Sequence, residues 1–250
     1  MNNAVVFGYG YVGKGTALAF GITSFYTRHE SNITFEEAAK CKYIFICLPT
    51  PTIDGKCFTD DIEQLLLKLS SLPAGKDAIY IIRSTVTPGF ADRSMESLGI
   101  KIASNPEFLS ESTWEEDAKK PQIIVIGAND PKVLADVKAL YMGRYKYMQP
   151  VVSDNKTAEL IKYAVNTLFA TKTIFTNEIY DVAQEIKANY EIVRQALESH
   201  PWGMKNHTQA VYKGKRGIHG RCLPKDLWTF AEFSKSPFFT MLMERNGRFI

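Results

Sequence analysis

A cysteine stands in an unusual setting late in the chain, in the stretch HGRCLPKDL from His219 to Leu227. Proline suits the first turn of a helix, so Pro224 predicts a helix that begins directly after Cys222. A thiol that lies at a helix N-terminus and beside Lys225 is favoured as thiolate, the form that attacks carbonyl carbon. The stretch therefore predicts a nucleophilic cysteine, with an incidental thiol in a surface loop as the alternative.

A glycine-rich loop near the start of the chain has the spacing G-x-G-x-x-G. It follows the apolar run AVVFG and opens the helical stretch YVGKGTALAF. In such a strand–turn–helix unit, glycines allow a tight turn and let a pyrophosphate approach the backbone N–H groups of the helix N-terminus. The loop therefore predicts a dinucleotide site that includes Gly8, Gly10, Tyr11, Val12 and Gly13.

The end of the second predicted strand bears on the choice of coenzyme. An acidic residue usually holds the ribose hydroxyls of NAD at this point, but Thr27 and Arg28 stand there instead. Arg28 could pair with the 2′-phosphate of NADP. Alternatively it is a solvated arginine and Glu30 reaches the ribose. NAD is the expected coenzyme, and NADP stays open.

The pattern of apolar residues predicts the elements that would position these groups. Through about residue 150, apolar segments such as KYIFICLP alternate with helical segments such as DDIEQLLLKLSSL. This alternation is typical of a parallel sheet with helices on both faces. From Thr157 to about Lys187 the pattern is helical throughout. The predicted fold class is α/β, with an N-terminal Rossmann doubly wound parallel sheet in residues 1–150 and a helical domain with a long central helix in residues 151–250.

Composition and charge narrow the classes of function. The 250 residues are 45% hydrophobic and 23% charged, and the formal net charge is +3. This mixed charge predicts no nucleic-acid partner, and no apolar run is long enough to span a bilayer. The four cysteines and four histidines show no metal-ligand spacing, so no metal site is predicted. Without a signal-peptide pattern, a cytoplasmic protein with reduced thiols is the expectation.

Five segments together resemble the UDP-glucose/GDP-mannose dehydrogenase family. In order along the chain they are GYGYVG, STVTPG, NPEFLSE, AELIKYAVNTLFATKTIFTNE and CLPKD. The resemblance runs from Ala4 to about Asn246. Members of this family oxidise the C6 alcohol of a nucleotide sugar twice to a carboxylate, using two NAD molecules and a thioester to the enzyme. The resemblance thus implies a nucleotide-sugar substrate, with UDP-glucose as the expected one.

The resemblance also implies roles for individual residues. Cys222 matches the nucleophile. Lys162 and Asn166, which share one helix face, match the pair that stabilises charge on the substrate oxygen. Asp226 matches an aspartate that positions a catalytic water or the lysine. Glu111 is the candidate general base for thioester hydrolysis.

Further residues are implied as ligand contacts. Thr85 matches the threonine that contacts water near the nicotinamide. Besides the glycine loop, the implied cofactor contacts are Arg28, Thr50, Thr85 and Glu111. The implied substrate contacts are Glu107, Phe108, Leu109, Lys162, Asn166, Gly217 and Gly220.

The chain departs from the family pattern in three respects. The family usually has the motif G-G-x-C, but here His219 replaces the first glycine and only Gly220 remains. The position nearest to a family arginine that reaches the neighbouring subunit's substrate is His207. Family members usually continue into a second Rossmann-like domain that covers the nucleotide, and this sequence stops where that domain would be approached. The substrate is therefore expected to be held more weakly, held by a partner, or different.

Two other functions remain as alternatives. A two-electron β-hydroxyacid dehydrogenase of related architecture would use Lys162 and Asn166 without needing Cys222. A non-catalytic nucleotide-binding module is the other. The long helix also predicts a homodimer, because a small domain cannot bury all of its apolar positions, which include Leu160, Ile161, Val165, Leu168 and Phe169.

Overall fold

The computed structural model describes Met1 and residues 3–250, which form two compact units. The first unit comprises Met1–Thr50 and Phe58–Lys162, and the second comprises Pro51–Cys57 and Tyr163–Ile250. The division after Lys162 lies inside a helix, whereas the sequence predicted a boundary near residue 150. In the part of the chain that is described, no helix is both long and apolar enough to cross a membrane.

The strands and helices are numbered in chain order. The strands are β1 (Ala4–Phe7), β2 (Phe25–Tyr26), β3 (Tyr43–Ile46), β4 (Thr52–Ile53), β5 (Lys56–Cys57), β6 (Ile79–Ile82), β7 (Lys101–Ser104), β8 (Val125–Gly127) and β9 (Val151–Ser153). The helices are α1 (Tyr11–Phe20), α2 (Phe35–Ala39), α3 (Asp60–Ser71), α4 (Phe90–Leu98), α5 (Trp114–Lys119), α6 (Pro131–Arg144), α7 (Asn155–Glu185), α8 (Tyr190–Ser199), α9 (Leu223–Ser234) and α10 (Pro237–Asn246).

The first unit is built on a seven-stranded sheet in the order β2-β1-β3-β6-β7-β8-β9. Neighbouring strands are parallel except β7 and β8, which are antiparallel. The direction of winding reverses between β1 and β3, and such a reversal opens a crevice at the carboxyl ends of these strands. The predicted doubly wound α/β fold is confirmed, with one antiparallel step near the edge of the sheet.

Both faces of the sheet are buried, which explains why the strands are apolar without interruption. Alternate residues point to opposite faces. Val5 and Ile44 pack with α3 and α4 in one core, whereas Val6, Phe45 and Ile81 pack with α1 and α6 in the other. A residue at any strand position is therefore buried on one side or the other.

The second unit is helical and includes the C-terminal part of α7. This helix contains 31 residues, so the predicted long central helix is confirmed. The core of the second unit joins α7 to α9 and α10 through Ala170, Ile174, Leu227 and Leu242. Residues 200–222 between α8 and α9 form turns and bends with an isolated bridge between Tyr212 and Lys215.

A hairpin of β4 and β5 belongs to the second unit and was not predicted. Its turn residues Asp54 and Gly55 have φ of +48° and +75°, the left-handed conformation that an Asp-Gly pair adopts in two-residue hairpins. The hydroxyl of Thr52 donates to the Lys225 carbonyl oxygen at 3.1 Å and lies 2.6 Å from the hydroxyl of Thr229. The hairpin is therefore fastened to α9, the helix that follows Cys222.

Candidate active site

The glycine loop lies at the reversal point of the sheet, directly after β1. Gly8 has φ of +86°, and a Cβ there would lie 2.6 Å from the Cys47 carbonyl oxygen. A Cβ on Gly13 would collide with the Gly8 carbonyl oxygen, whereas one on Gly10 would meet open space. Gly10 caps α1, whose first turn contains Tyr11 and no acidic residue. The backbone N–H groups of this turn can therefore receive a phosphate, and the loop fits a dinucleotide.

Two neighbouring strand ends are joined beside this loop. The hydroxyl of Thr50, in the segment after β3, donates to the carbonyl oxygen of Thr85, in the segment after β6, at 2.7 Å. Val12 follows Tyr11 in the first turn of α1, and its carbonyl oxygen accepts from the Thr16 hydroxyl at 2.8 Å. The predicted cofactor contacts Tyr11, Val12, Thr50 and Thr85 thus all follow the carboxyl ends of β1, β3 and β6.

Arg28 is exposed in the turn after β2, and its guanidinium forms an ion pair with Asp61. The backbone around it is ordered by Thr27, whose hydroxyl donates to the Glu30 carbonyl oxygen at 2.7 Å and accepts from the Glu30 N–H at 2.9 Å. Arg28 therefore already has an anionic partner in the protein. A 2′-phosphate at this position would have to compete with the Asp61 carboxylate.

A buried ion pair joins the NPEFLSE segment to α7 in the first unit. Lys162 Nζ donates to the Glu107 carbonyl oxygen at 2.6 Å and lies 3.3 Å from Glu107 Oε1. Each side chain is only 7% exposed. The other Glu107 oxygen, Oε2, accepts from the Leu109 N–H at 2.7 Å, and the Phe108 ring centre lies 5.1 Å from Lys162 Nζ. The pair gives the lysine a fixed position and a balanced charge.

Glu159 lies almost one turn before Lys162 and anchors the STVTPG segment. Its carboxylate accepts from the N–H groups of Gly89 at 2.6 Å and Ala91 at 2.9 Å, at the start of α4, and from the Ser104 hydroxyl at 3.2 Å. Burial raises the pKa of Glu159 to about 7, although these three donors act in the opposite direction. Glu159 thus holds the end of the segment that contains Thr85.

A second group of predicted site residues lies in the second unit and consists of Asn166, Cys222 and Asp226. Cys222 caps α9 and is half-buried, and its carbonyl oxygen accepts from the Asp226 N–H at 2.9 Å. The fully buried Asp226 carboxylate accepts from Asn166 Nδ2 at 2.5 Å and pairs with Lys225 Nζ at 2.5 Å. The helix that begins at Cys222 is therefore tied to α7 through one carboxylate.

A cavity of about 760 Å³ lies in the second unit, beside the segment that leads to Cys222. His219, Gly217 and Gly220 line it together with three lysines, Lys205, Lys213 and Lys215. Its volume is in the range of small-molecule sites. Glu198 also lines it but is already paired with Arg194 at 2.5 Å. The lining is therefore cationic and suits an anionic ligand.

His207 lines the same cavity, and its ring stacks on Phe169 with 4.6 Å between ring centres. Burial, with a further contribution from Lys172, lowers the pKa of His207, so its imidazole is neutral at neutral pH. His219 hydrogen-bonds the Arg216 carbonyl oxygen through Nε2. His219, which replaces the first glycine of the family motif, thus uses one ring nitrogen for a hydrogen bond within its own loop.

The predicted site residues fall into separate groups. Glu107, Leu109 and Lys162 lie together in the first unit, and Asn166 and Asp226 lie together in the second. Glu111 is exposed in the turn before α5. Within the described residues, no cluster of three or more histidine, cysteine, aspartate or glutamate side chains could hold a metal ion.

Comparison with known proteins assigns both halves of the chain. The NAD binding domain of the UDP-glucose/GDP-mannose dehydrogenase family matches residues 24–144, and the central domain of the same family matches residues 156–246. The chain belongs to the UDP-glucose/GDP-mannose dehydrogenase family. The central-domain match includes Lys162, Asn166, Cys222 and Asp226, whereas the glycine loop precedes the matched range.

Individual family members are about 26–32% identical to this chain over the residues that align. The UDP-glucose 6-dehydrogenase of Rickettsia conorii is 32% identical over 208 residues, which are 79% of this chain and 46% of that protein. The chain spans about half the length of the curated relatives it matches. A UDP-glucose dehydrogenase structure from the archaeon Pyrobaculum islandicum is 26% identical with a TM-score of 0.81, covering 99% of this chain and 67% of that one.

The fold also occurs outside nucleotide-sugar dehydrogenases. The Mycobacterium tuberculosis 3-hydroxyisobutyrate dehydrogenase, solved with L-serine, aligns with a TM-score of 0.73 at 14% identity, covering 98% of this chain and 92% of that one. This likeness shows the fold alone. A doubly wound sheet followed by a long-helix unit is thus also found in that enzyme.

Two features of this family member were not predicted from the sequence. The lysines that line the cavity lie in a loop between α8 and α9, and the basic run KGKRG was the signal for two of them, Lys213 and Lys215. The second feature is the hairpin that contacts α9, and the dipeptide Asp54–Gly55 was the sequence signal for its turn.

Proposed function

We propose that this chain carries out the chemistry of a nucleotide-sugar 6-dehydrogenase, with UDP-glucose as substrate and UDP-glucuronate as product. The observation that carries the proposal is the placement of Cys222 at the start of α9, one turn before a buried Asp226 that bonds both Asn166 and Lys225. Family membership supports it. Because the chain spans about half of its relatives, activity and substrate are proposed for it rather than transferred to it.

The proposed reaction contains two oxidations, and NAD supplies the hydride acceptor in each. The C6 alcohol first loses a proton and a hydride and becomes an aldehyde. The Cys222 thiolate adds to the aldehyde carbon, and loss of a second hydride from that carbon leaves a thioester on Cys222. Water, activated by Glu111 as general base, cleaves the thioester and releases the carboxylate and the thiol.

Lys162 and Asn166 are proposed to stabilise negative charge on the substrate oxygen. An ammonium group has three N–H donors. Glu107 accepts from Lys162 through its carbonyl and one carboxylate oxygen, which leaves a third donor for the substrate. Because Lys162 is buried and fixed, this donor needs little reorganisation when charge develops on the oxygen.

The cationic cavity of the second unit is proposed to receive the diphosphate of the nucleotide sugar. Lys205, Lys213 and Lys215 would balance the charge of the two phosphates. Gly217 and Gly220, both with positive φ at +76° and +88°, line the same cavity. The cavity thus offers cationic side chains for a nucleotide in the unit that contains Cys222.

We infer that the coenzyme is NAD. The match to an NAD binding domain supports this choice. The ion pair of Arg28 with Asp61 also supports NAD. A 2′-phosphate bound by Arg28 would lie close to the Asp61 carboxylate, and two neighbouring anions repel each other.

A stoichiometric assay tests the proposed function. The protein is incubated with a limiting amount of UDP-glucose and an excess of NAD, and reduced coenzyme is counted against sugar consumed. We expect two reduced coenzymes per sugar and one equivalent of uronate. Parallel initial rates with NADP should be lower than with NAD. A panel of GDP-, UDP- and N-acetylated sugars in the same assay identifies the preferred substrate.

A different stoichiometry would reject the proposal in favour of a hydroxyacid dehydrogenase. The fold shared with 3-hydroxyisobutyrate dehydrogenase makes this the second candidate. That enzyme class needs one coenzyme per turnover and no thiol. One reduced coenzyme per turnover, on a small hydroxyacid and without participation of Cys222, is the result that distinguishes it.

We also propose that the chain forms a homodimer through α7. Leu168, Phe175 and Val182 are spaced by seven residues, so they lie along one stripe of the helix. They are exposed by 51%, 46% and 51%. A second copy of the same helix offers a stripe of matching chemistry and spacing.

Disrupting this stripe should shift the protein to monomers. We expect wild-type protein to sediment as a dimer at micromolar concentration and Phe175→Glu to sediment as a monomer, because the new charge would be buried at the interface. Trp202→Glu is the matched control, since Trp202 is 94% exposed and lies outside α7. A monomeric wild type, or equal effects of the two variants, contradicts the proposed dimer.

A further inference from the structure

Cys57, a second thiol, lies on the hairpin that contacts the helix of Cys222. In the hairpin Thr52 is paired directly with Cys57, and Ile53 with Lys56. Residues paired directly across two strands have their side chains on the same face, with Cα atoms about 4.5–5.5 Å apart. Ile53 and Lys56 are exposed, whereas Thr52 and Cys57 are half-buried. Thr52 and Cys57 thus share the covered face.

That covered face points at α9. The Thr52 hydroxyl contacts the Lys225 carbonyl oxygen and the Thr229 hydroxyl. Since Cys57 is on the same face directly beside Thr52, its side chain also points at this helix. The two thiols therefore belong to elements that pack against each other within the second unit.

The direction of the hairpin along α9 places Cys57 beside the N-terminal half of the helix. At the turn, a Cβ on Gly55 would collide with the Glu232 side chain and lie 3.0 Å from Trp228 Nε1, further along α9. The open end of the hairpin therefore faces the helix N-terminus. Thr52 meets α9 at Lys225 and Thr229, three and seven residues after Cys222, or about 4.5 and 10.5 Å along the helix axis.

We propose that Cys57 and Cys222 form a reversible disulfide when the protein meets a peroxide. A disulfide needs Cα atoms about 4.4–6.8 Å apart. The nearest contact of the hairpin with α9, at Lys225, lies less than one helical turn along the axis from Cys222, and the loop that ends at Cys222 closes the remaining offset when the bond forms. Both residues are half-buried, so a small oxidant can reach them. Cys57 then acts as the resolving thiol for Cys222.

The chemistry balances with hydrogen peroxide as the oxidant. The Cys222 thiolate attacks one peroxide oxygen, which forms a sulfenic acid and releases hydroxide. The Cys57 thiol then attacks the sulfur, an S–S bond forms and water leaves. In total two thiols lose two electrons, and one peroxide becomes two waters. A dithiol reverses the reaction by thiol–disulfide exchange.

The consequence of this bond rests on the proposed function. While the disulfide exists, Cys222 cannot add to an aldehyde, so the thioester route is blocked. The bond also protects the nucleophile, because a sulfenic acid without a resolving thiol proceeds to sulfinic acid, which a dithiol does not reduce. Formation of the bond itself does not depend on any substrate.

Peptide mapping tests the bond directly. The purified protein is treated with one equivalent of hydrogen peroxide, remaining thiols are alkylated, and the chain is digested with trypsin without reductant. We expect a cross-link between the peptides Cys57–Lys68 and Cys222–Lys225, carried by a species of monomer mass on a denaturing gel. The cross-link should disappear after dithiothreitol. Mapping needs no enzyme activity, so its result stands even if the proposed function fails.

Cysteine variants supply the controls. In Cys57→Ser we expect no cross-link, and after peroxide at least about tenfold less Cys222 thiol should be recovered by dithiothreitol than in wild type. Cys57→Ala guards against an effect of the serine hydroxyl. Cys41→Ser, at a buried cysteine outside the hairpin, should still form the cross-link. Sulfinic Cys222 without a cross-link in wild type, or a cross-link only between chains, overturns the proposal.

Discussion

Replacing Cys222 by serine is expected to lower the release of uronate from UDP-glucose by about 10³-fold or more, the scale of losing a nucleophile. A serine hydroxyl is a far weaker nucleophile than a thiolate at neutral pH, so the aldehyde would not be carried to a thioester. Uronate is measured by chromatography after single and multiple turnovers. Slow formation of one reduced coenzyme per sugar should remain, because the first oxidation does not use the thiol.

The serine variant should keep its fold, which makes the activity loss interpretable. Cys222 occupies the N-cap of α9 without a side-chain cap, and serine is among the preferred residues there. We therefore expect a thermal midpoint equal to or slightly above that of wild type. Cys57→Ser is the matched control and should retain uronate release under reducing conditions. Unchanged uronate release by Cys222→Ser would remove the thioester from the mechanism.

Replacing Lys162 by methionine is expected to lower the free energy of unfolding by about 3–5 kcal/mol. The substitution preserves most of the side-chain volume but leaves the Glu107 carboxylate buried without its cation, at 7% exposure. Equilibrium unfolding in urea measures the loss. The double variant Lys162→Met/Glu107→Gln should recover part of it, because a neutral amide is less costly to bury than an unpaired carboxylate.

An exposed lysine in the same helix provides the comparison. Lys156 pairs with Asp92 at 3.5 Å, with 64% of the lysine side chain exposed. Lys156→Met should therefore cost less than about 1 kcal/mol, as is usual for surface ion pairs. If the two single variants lose equal stability, the Lys162–Glu107 pair is not the buried interaction that the structure shows.

The elements of the fold were largely predictable because their signals are local. Both core faces of the sheet come from continuous apolar strands, and the predicted helix from Thr157 to about Lys187 is observed as Asn155–Glu185. The strand predicted over ITSFYTR is much shorter, because only Phe25–Tyr26 pairs with β1. Beyond Tyr26 the chain turns back through hydrogen bonds around Thr27.

The partners of the candidate site residues were not predictable, because they depend on contacts between distant segments. Asp226 was expected to position a water or the lysine, and the structure bonds it to Asn166 and Lys225. Arg28 was considered for a phosphate, and it pairs with Asp61, which is 33 residues away. Such pairs depend on how the elements pack against each other. The pattern of apolar residues within one segment does not predict this packing.

The hairpin has a consequence for the order in which the chain can fold. Its hydrogen bonds to α9 join residues separated by 173 and 177 positions, so closing them costs loop entropy that nearby contacts do not. During synthesis β4 and β5 emerge early, yet their docking surface on α9 is made about 170 residues later. We infer that the second unit is finished late. Dividing the gene near residue 150 would therefore separate the second unit from its β4–β5 hairpin.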